Sequence, residues 1–389
     1  MTSPAPLELS IVIPCLNEAE TLGPCIEEAQ RALAASGIAG EIVVADNGSV
    51  DASRQVAEDC GARVVTVPAR GYGSALLGGI AAARGRFVVM ADADASYDFG
   101  EAPRFVARLR EGFDLVQGCR LASGGGRILP GAMPWLHRWI GNPLFSWLAR
   151  KWFDVPIHDI HCGMRGFVRE LPEWIGQRCT GMEFASEMII KATLEGMKIG
   201  EVPITLSPDR RRLRRPHLRT FRDGWRHLRF FLVFSPRWLF LVPGFLLIAA
   251  GLLGYALAMP RSVIRGVTLD VHTLLFASLA IIAGYQSVLF AVFTKVFAIS
   301  QGLLPIDRRM ERLFQRIDLE KGLAAGGLAM GAGLLLLGLA VEEWRVAGFG
   351  RLDYVHTMRR VIPGVTLSTL GFQTILSSFF LSILGLRRR

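Results

Sequence analysis

Two hydrophobic patterns divide the chain near residue 237. Before it, short apolar runs alternate with helical patterns. The runs Leu9–Cys15 (LSIVIPC), Glu41–Asn47 (EIVVADN), Arg63–Pro68, Phe87–Met90 and Asp114–Arg120 (DLVQGCR) read as strands. Near-continuous apolar residues in the first and fourth predict strands buried on both faces. Helices are predicted from about Glu18 to Ala35 and from Asp51 onward. Five strands alternating with helices within ~120 residues predict an α/β layer architecture. Beyond residue 237 come four runs without Asp, Glu, Lys or Arg: Trp238–Met259, Val271–Thr294, Gly322–Val341 and Val361–Leu386. Each is long enough to cross ~30 Å of hydrocarbon as a helix. The expected organisation is a domain over 1–207, a basic juxtamembrane segment over 208–237 and a four-helix transmembrane domain over 238–389.

Composition supports the membrane part: 51% of residues are hydrophobic and mean hydropathy is +0.35, high for a soluble protein. The formal net charge of +10 is concentrated. Between Pro208 and Arg229 lie nine Arg and two Asp, a local charge of +7. Lying directly before the first membrane run, this stretch suits lipid headgroups or a lipid phosphate, so no nucleic-acid partner is expected. Six cysteines (Cys15, Cys25, Cys60, Cys119, Cys162, Cys179) precede the membrane runs without zinc-like spacing, as reduced thiols in a cytosolic domain would. No cleavable signal peptide is expected from the short N-terminus, which lacks a basic start.

Candidate chemistry gathers at predicted strand ends. The stretch Arg86–Asp98 (RFVVMADADASYD) carries a buried strand into Asp92 and Asp94. Parallel sheets bind ligands at the carboxyl ends of their strands, and paired carboxylates with diphosphate oxygens form a hard site for Mg²⁺ or Mn²⁺. An Asp-rich turn is the plain alternative. Asn17 is placed to cap the following helix, or to line a nucleotide site. Asp46 ends the second strand, where it could accept a hydrogen bond from a base or ribose. The glycines of Arg70-Gly71-Tyr72-Gly73-Ser74 would let backbone N–H groups approach an anion, or simply form a turn. Arg120 closes the fifth strand. His158 and His161 flank Asp159 as candidate metal ligands or polar lining.

Six segments in order, Pro14-Cys15-Leu16-Asn17-Glu18, Asp46-Asn47-Gly48-Ser49 with Asp51, Gly71-Tyr72-Gly73, Asp92-Ala93-Asp94, Gly118-Cys119-Arg120 and Asp159 to Phe167 (DIHCGMRGF), resemble glycosyltransferase family 2. Within it, the chain is most similar to polyprenyl-phosphate (dolichyl-phosphate-type) hexosyl synthases. The resemblance spans residues 9–207 and implies a GT-A-type, Rossmann-like fold and inverting transfer from a UDP- or GDP-sugar. It implies a donor site formed by Pro14, Leu16, Asn17, Glu18, Asp46, Asn47, Ser49, Gly71, Gly73, Asp92, Ala93 and Arg120. Glu18 and Asp46 would bind the nucleoside, Asp92 and Asp94 the metal and diphosphate, and Asp94, Asp159 and Arg165 would serve the reaction. Many members have a second acid at the position of Asn47, Gln at Ser96 and Ser at Cys162.

The membrane-facing part adds an acceptor. Met133–Phe153 mixes Trp135, Trp139, Trp147 and Trp152 with Arg138, Arg150 and Lys151, which suits a helix in the bilayer interface. A core helix packed on the sheet is the alternative. Glu183 and Glu187, four apart, are candidates for the acceptor side. Arg210, Arg211, Arg212, Arg214, Arg215 and Arg219 are expected to bind the phosphate of a polyprenyl phosphate, or to anchor the chain on headgroups. Arg308, Arg309, Arg312, Arg316 and the terminal Arg387-Arg388-Arg389 place the catalytic domain in the cytoplasm. The small residues of Gly322–Gly333 favour close helix packing or homo-oligomer contacts. The expected enzyme is an inner- or plasma-membrane hexosyltransferase supplying lipid-linked sugar to the cell envelope. Other readings are a polysaccharide synthase, though no Gln-x-x-Arg-Trp element is present, and a non-catalytic nucleotide-sugar-binding module.

Overall fold

The computed structural model describes residues 6–211, 220–264, 266–301, 304 and 319–386. Two compact units are present, Met1–Phe231 and Leu232–Arg389.

The first unit is built on seven strands: β1 (Leu9–Cys15), β2 (Gly40–Asp46), β3 (Arg63–Thr66), β4 (Phe87–Met90), β5 (Leu115–Cys119), β6 (Arg165–Val168) and β7 (Ile199–Pro203). Their order is β3-β2-β1-β4-β6-β5-β7. The apolar runs of β1 and β4 lie at the centre, where both faces are covered, and their bounds are those the sequence predicts. The sequence did not predict β6 and β7. β6 is short and opens on an arginine, and only its neighbours make it a strand. It pairs antiparallel with both β4 and β5, Met90 opposite Arg165 and Gln117 opposite Arg165. All other pairs in this sheet are parallel. An antiparallel insertion brings its entry to the carboxyl ends of its neighbours, so the loop from Asp159 arrives beside Asp92, Asp94 and Arg120.

Helices α1 (Leu22–Ser36), α2 (Ser53–Asp59), α3 (Tyr72–Ala82) and α4 (Ala102–Arg110) connect the first five strands. Asn17 does not cap α1. The helix starts at Leu22, and Asn17 takes a left-handed backbone (φ 60°) while its side-chain oxygen accepts from the Val50 N–H at 2.8 Å. The start of α3 docks against the backbone at Cys179–Thr180. A Cβ on Gly71 or Gly73 would collide with the carbonyl oxygen of Thr180 or Cys179, and Gly71 has φ 135°.

Further helices of this part include α5 (Asn142–Phe153), α6 (Phe184–Leu194) and α7 (Thr220–Phe234). α5 turns Ser146, Ala149 and Phe153 inward, whereas Trp135, Trp139, Leu144 and Trp147 are exposed. Trp135, Trp139 and Trp147 are therefore not core residues of the unit, whereas Trp152 is half-buried beside Phe231.

Among the described residues of the second unit, four helices are long and apolar enough to cross a membrane: Arg237–Ala258, Val271–Ser300, Leu319–Val346 and Tyr354–Leu384. They extend past several of the charge-free runs. The fourth helix begins ahead of Arg359 and Arg360, which pair with Asp270 and Glu343. Small residues set the helix spacing. Cβ atoms on Gly326 and Gly333 would strike the backbone at Gly371 and Gly364, whereas Gly327 and Gly331 face open space. Hydrogen bonds from Tyr285 to Thr374 (2.6 Å) and from Gln373 to Gln286 (3.0 Å) tie the second helix to the fourth.

Gly71→Ala is expected to destabilise the protein by at least about 2 kcal/mol, since a side chain there meets both an unfavourable φ and a fixed carbonyl. Its thermal-unfolding midpoint in detergent should fall accordingly.

Candidate active site

Five carboxylates that the sequence singles out lie beyond the strand ends: Glu18 after β1, Asp46 at the end of β2, Asp92 and Asp94 after β4, and Asp159 on the loop that enters β6 and pairs with Arg120 after β5. Asp46 ends β2 and is buried. It accepts hydrogen bonds from the N–H groups of Gly48 (3.3 Å) and Ser49 (3.1 Å) and from Arg54 Nε (2.6 Å). Burial alone would raise its pKa, but the bonds from Ser49 and Arg54 outweigh this and hold it below the ordinary value. Asn47 donates to the carbonyls of Val67 (3.0 Å) and Ala69 (2.7 Å) and accepts from the Gly71 N–H (2.8 Å). Ser49 Oγ accepts from the Asn17 N–H at 2.9 Å. The loops after β1, β2 and β3 are thus tied together, and Asp46 and Asn47 build that junction. Pro14 lies within β1, paired with Ala45 on β2, and Leu16 is half-buried just beyond it.

Asp92 and Asp94 follow β4 on a turn that includes Ala95 at φ 59°, and Ala93 between them is buried. Asp92 Oδ1 accepts from the Tyr72 hydroxyl at 2.9 Å. Burial, and then the neighbouring charge of Asp94, push its pKa up to about 6. Asp94 Oδ1 accepts from the Ser96 N–H (3.0 Å) and hydroxyl (2.6 Å). Its Oδ2 accepts from Arg211 Nη2 at 2.9 Å, while Nη1 of the same guanidinium reaches Glu18 Oε1 at 2.9 Å. Asp209 also pairs with Arg211, at 2.8 Å. One arginine therefore brings Glu18 and Asp94 together.

Asp159 is fully buried, and Arg120 clamps it with Nε to Oδ2 at 2.7 Å and Nη2 to Oδ1 at 2.9 Å. The Arg120 N–H adds a bond to Oδ2 at 3.0 Å. Burial opposes the Arg120 charge, yet the Asp159 carboxylate more than compensates, and the pKa of Arg120 is raised. Arg165 is also fully buried, and donates to the carbonyls of Ala185 (2.9 Å) and Cys162 (2.8 Å). In this arrangement Arg120 and Asp159 are partners of each other, and Arg165 fastens the loop that carries Asp159.

The remaining candidates separate. His158 pairs with Glu201 at 2.8 Å, whereas His161 lies 3.3 Å from the Ser186 hydroxyl. Among the described residues no group of three His, Cys, Asp or Glu side chains has the geometry of a metal site. Glu187 is buried in an ion pair with Lys191 at 2.7 Å and accepts from the N–H groups of Arg178 and Cys179. The Gly73 and Ser74 N–H groups donate to the Thr180 carbonyl. Arg212, Arg214, Arg215 and Arg219 lie outside the described residues. Three contributors escaped the sequence reading. Tyr72 lies inside a quoted motif, but nothing in the motif aims its hydroxyl at Asp92. Tyr97 accepts from the Gly163 N–H (2.8 Å), and Glu201 accepts from the N–H groups of His158 and Asp159. Neither has a signal in sequence spacing.

Residues 10–173 match the family Glycosyl transferase family 2, and residues 292–385 match the glycosyltransferase family 2 C-terminal transmembrane region. The low-salt glycan biosynthesis hexosyltransferase Agl6 of Haloferax volcanii is 38% identical over 384 residues, 97% of this chain and 89% of that protein. The chain belongs to glycosyltransferase family 2. It is an integral membrane enzyme, with a GT-A-like mixed sheet followed by apolar helices. A dolichyl-phosphate hexose transferase of the same organism is 33% identical over 220 residues, 56% of this glycosyltransferase and 89% of that relative. Among solved structures, glucosyl-3-phosphoglycerate synthase from Mycobacterium tuberculosis is similar in outline, with 24% identity and a TM-score of 0.44. That likeness covers 58% of this chain and 78% of the other.

Two outcomes follow from the ion pairs. Arg120→Met should destabilise this glycosyltransferase by about 3–5 kcal/mol by leaving a buried carboxylate unpaired, and Arg120→Met with Asp159→Leu should recover much of the lost melting temperature. For Asp46, a depressed folded pKa means its stabilisation is complete above the ordinary aspartate range and is lost as pH falls through the lower folded value. Arg54→Ala should therefore shift the onset of acid unfolding to higher pH, measured by circular dichroism.

Proposed function

We propose that this glycosyltransferase moves a hexose from a UDP- or GDP-sugar onto polyprenyl phosphate at the cytoplasmic membrane leaflet. The observation that carries the donor half is the meeting of Glu18 and Asp94 around a single cationic group at the strand ends, with Asp92 one residue away. The acceptor half rests on the named relatives, a hexosyltransferase and a dolichyl-phosphate hexose transferase.

The donor set fits a hard divalent cation: two carboxylates separated by one residue, with Tyr72 and Ser96 hydroxyls fixing their outer oxygens. Asp92 and Asp94 would hold Mg²⁺ or Mn²⁺, which supplies positive charge for the leaving diphosphate. Glu18 and the junction of Asp46, Asn47, Ser49, Asn17, Pro14, Leu16, Gly71 and Gly73 form the wall on which the nucleoside lies. An acceptor phosphate oxygen attacks the anomeric carbon opposite the diphosphate. The bond from that carbon to the diphosphate oxygen breaks, and the electron pair leaves with the diphosphate. The product is β-linked when the donor is α-linked. A phosphate monoester is already anionic near neutral pH, so a strong base is not needed. The clamp on Asp159 accords with this, because both of its oxygens are already occupied by Arg120. Asp159, Arg120 and Arg165 then orient the reacting side of the site.

Residues 1–207 are the catalytic part in this reading, 208–237 the basic segment at the membrane and 238–389 the anchor. The exposed Trp135, Trp139 and Trp147, with Arg138 stacked 5.3 Å from the Trp139 ring, suit the headgroup region of a bilayer. Arg210, Arg212, Arg214, Arg215 and Arg219 supply charge for the acceptor phosphate.

The test is a donor screen with purified protein, Mg²⁺ or Mn²⁺ and short-chain polyprenyl phosphate. UDP-glucose, UDP-galactose, UDP-GlcNAc, UDP-GalNAc and GDP-mannose are compared by mass spectrometry. A metal-dependent lipid-phosphate sugar is expected from at least one donor. Donor hydrolysis without lipid product would move the acceptor elsewhere, and no turnover in folded protein would overturn the reading. Asp94→Ala is expected to lower transfer by at least about 10²-fold while leaving the protein folded. Turnover like that of the wild type would remove Asp94 from the metal site.

A further inference from the structure

Arg211 differs from its neighbour Arg210, which is exposed. The Arg211 side chain is only 10% exposed, and its guanidinium contacts Glu18, Asp94 and Asp209 at 2.8–2.9 Å. Its placement is built. The Ser207 N–H donates to the Ser96 carbonyl at 2.9 Å, and the Arg210 N–H donates to the Asp94 carbonyl at 3.2 Å. The segment leading to Arg211 is thereby laid along the Asp94–Ser96 turn. Burial works against the guanidinium's charge, but Glu18 and Asp94 outweigh it and raise its pKa, so the group stays cationic.

The oxygens of Asp94 are both in use. Oδ1 takes the N–H and hydroxyl of Ser96, two residues away in the same turn, and Oδ2 takes Arg211. A cation at the remaining lone pair of Asp94 Oδ2 would lie beside the Arg211 guanidinium and be repelled by its charge. The Ser96 bonds are local and re-form with any movement of the turn. The Arg211 bond comes from 117 residues away and can be broken without disturbing the turn. We infer that Arg211 is a tethered counter-cation of the donor site, holding Glu18 and Asp94 until a divalent cation exchanges with it at Asp94. This inference rests on the donor-site reading above and moves Arg211 from the acceptor's phosphate to the donor side. It also gives a reason for the arrangement. Three carboxylates gathered without a cation would repel one another, whereas one guanidinium keeps the site assembled and still leaves it attractive to a divalent ion.

The test is direct binding to full-length protein in detergent. Mn²⁺ alone is titrated by electron paramagnetic resonance, then UDP and GDP are titrated with Mn²⁺ by calorimetry. Arg211→Ala should bind Mn²⁺ alone about tenfold tighter than wild type, because one charge-assisted competitor is gone. Its melting temperature should fall without metal and recover with Mn²⁺, a rescue that a purely structural arginine would not show. Arg211→Lys, which keeps the charge but loses the two-armed reach, should lie between and serves if Arg211→Ala does not fold. Equal or weaker Mn²⁺ binding by the variants would overturn the inference. Tighter Mn²⁺ binding with no binding of either nucleotide to any form would uphold it and overturn the donor reading. Nucleotide binding with Mn²⁺ that weakens in Arg211→Ala, without a gain for Mn²⁺ alone, would do the reverse.

Discussion

The architecture of the first unit turns on one electrostatic constraint: carboxylates crowded at the ends of buried strands need compensating positive charge or hydrogen-bond donors. The sheet concentrates Asp46, Asp92, Asp94 and Asp159 in one region, where each has a different answer. Asp46 is neutralised by Arg54 and two backbone N–H groups, and Asp159 by the two-armed grip of Arg120. Asp94 is met by Arg211 and Ser96. Asp92 has the Tyr72 hydroxyl, and burial beside Asp94 leaves its proton held more tightly than usual. The least compensated carboxylate is therefore next to one whose partner comes from a distant segment.

Function follows from how the compensation is distributed. Where the guanidinium is itself buried, as with Arg120 on Asp159, the carboxylate becomes part of the framework and sets the course of a loop. Where it comes from a separate segment, as with Arg211, one guanidinium is shared among Glu18, Asp94 and Asp209. The antiparallel β6 makes this possible, since it sends the Asp159 loop to the same end of the sheet as Asp92 and Asp94. A wholly parallel sheet would have needed a long crossover to bring that loop there.

The membrane unit obeys a different constraint. Lipid offers no hydrogen bonds to polar side chains or backbone, so polar groups must meet one another within it. Tyr255 with Ser278 and Thr366, Tyr285 with Thr374, and Gln286 with Gln373 are such meetings, and glycines bring the third and fourth helices into backbone contact. These pairs fix which helix faces which, a choice that uniform apolar packing leaves open.

Sequence alone determined whatever depends on neighbouring residues. The apolar runs of β1 and β4 name their strands to the residue, because a strand buried on both faces has little freedom in composition. The four spans were legible for a similar reason, and their ends were misjudged where helix continues through charged residues such as Arg359 that find distant partners. The order of short motifs was enough to indicate the family. Tertiary structure decided what depends on long-range contact. β6 is a strand only because β4 and β5 flank it, and Asn17 bonds to Val50 instead of capping a helix. Arg120 and Asp159 are partners across 39 residues. Arg210 and Arg211 look alike in a run of arginines, yet the chain aims only the second side chain at Glu18 and Asp94. Local sequence specifies backbone preference and burial, whereas the pairing of charges is set by which segments the sheet brings within 3 Å of one another.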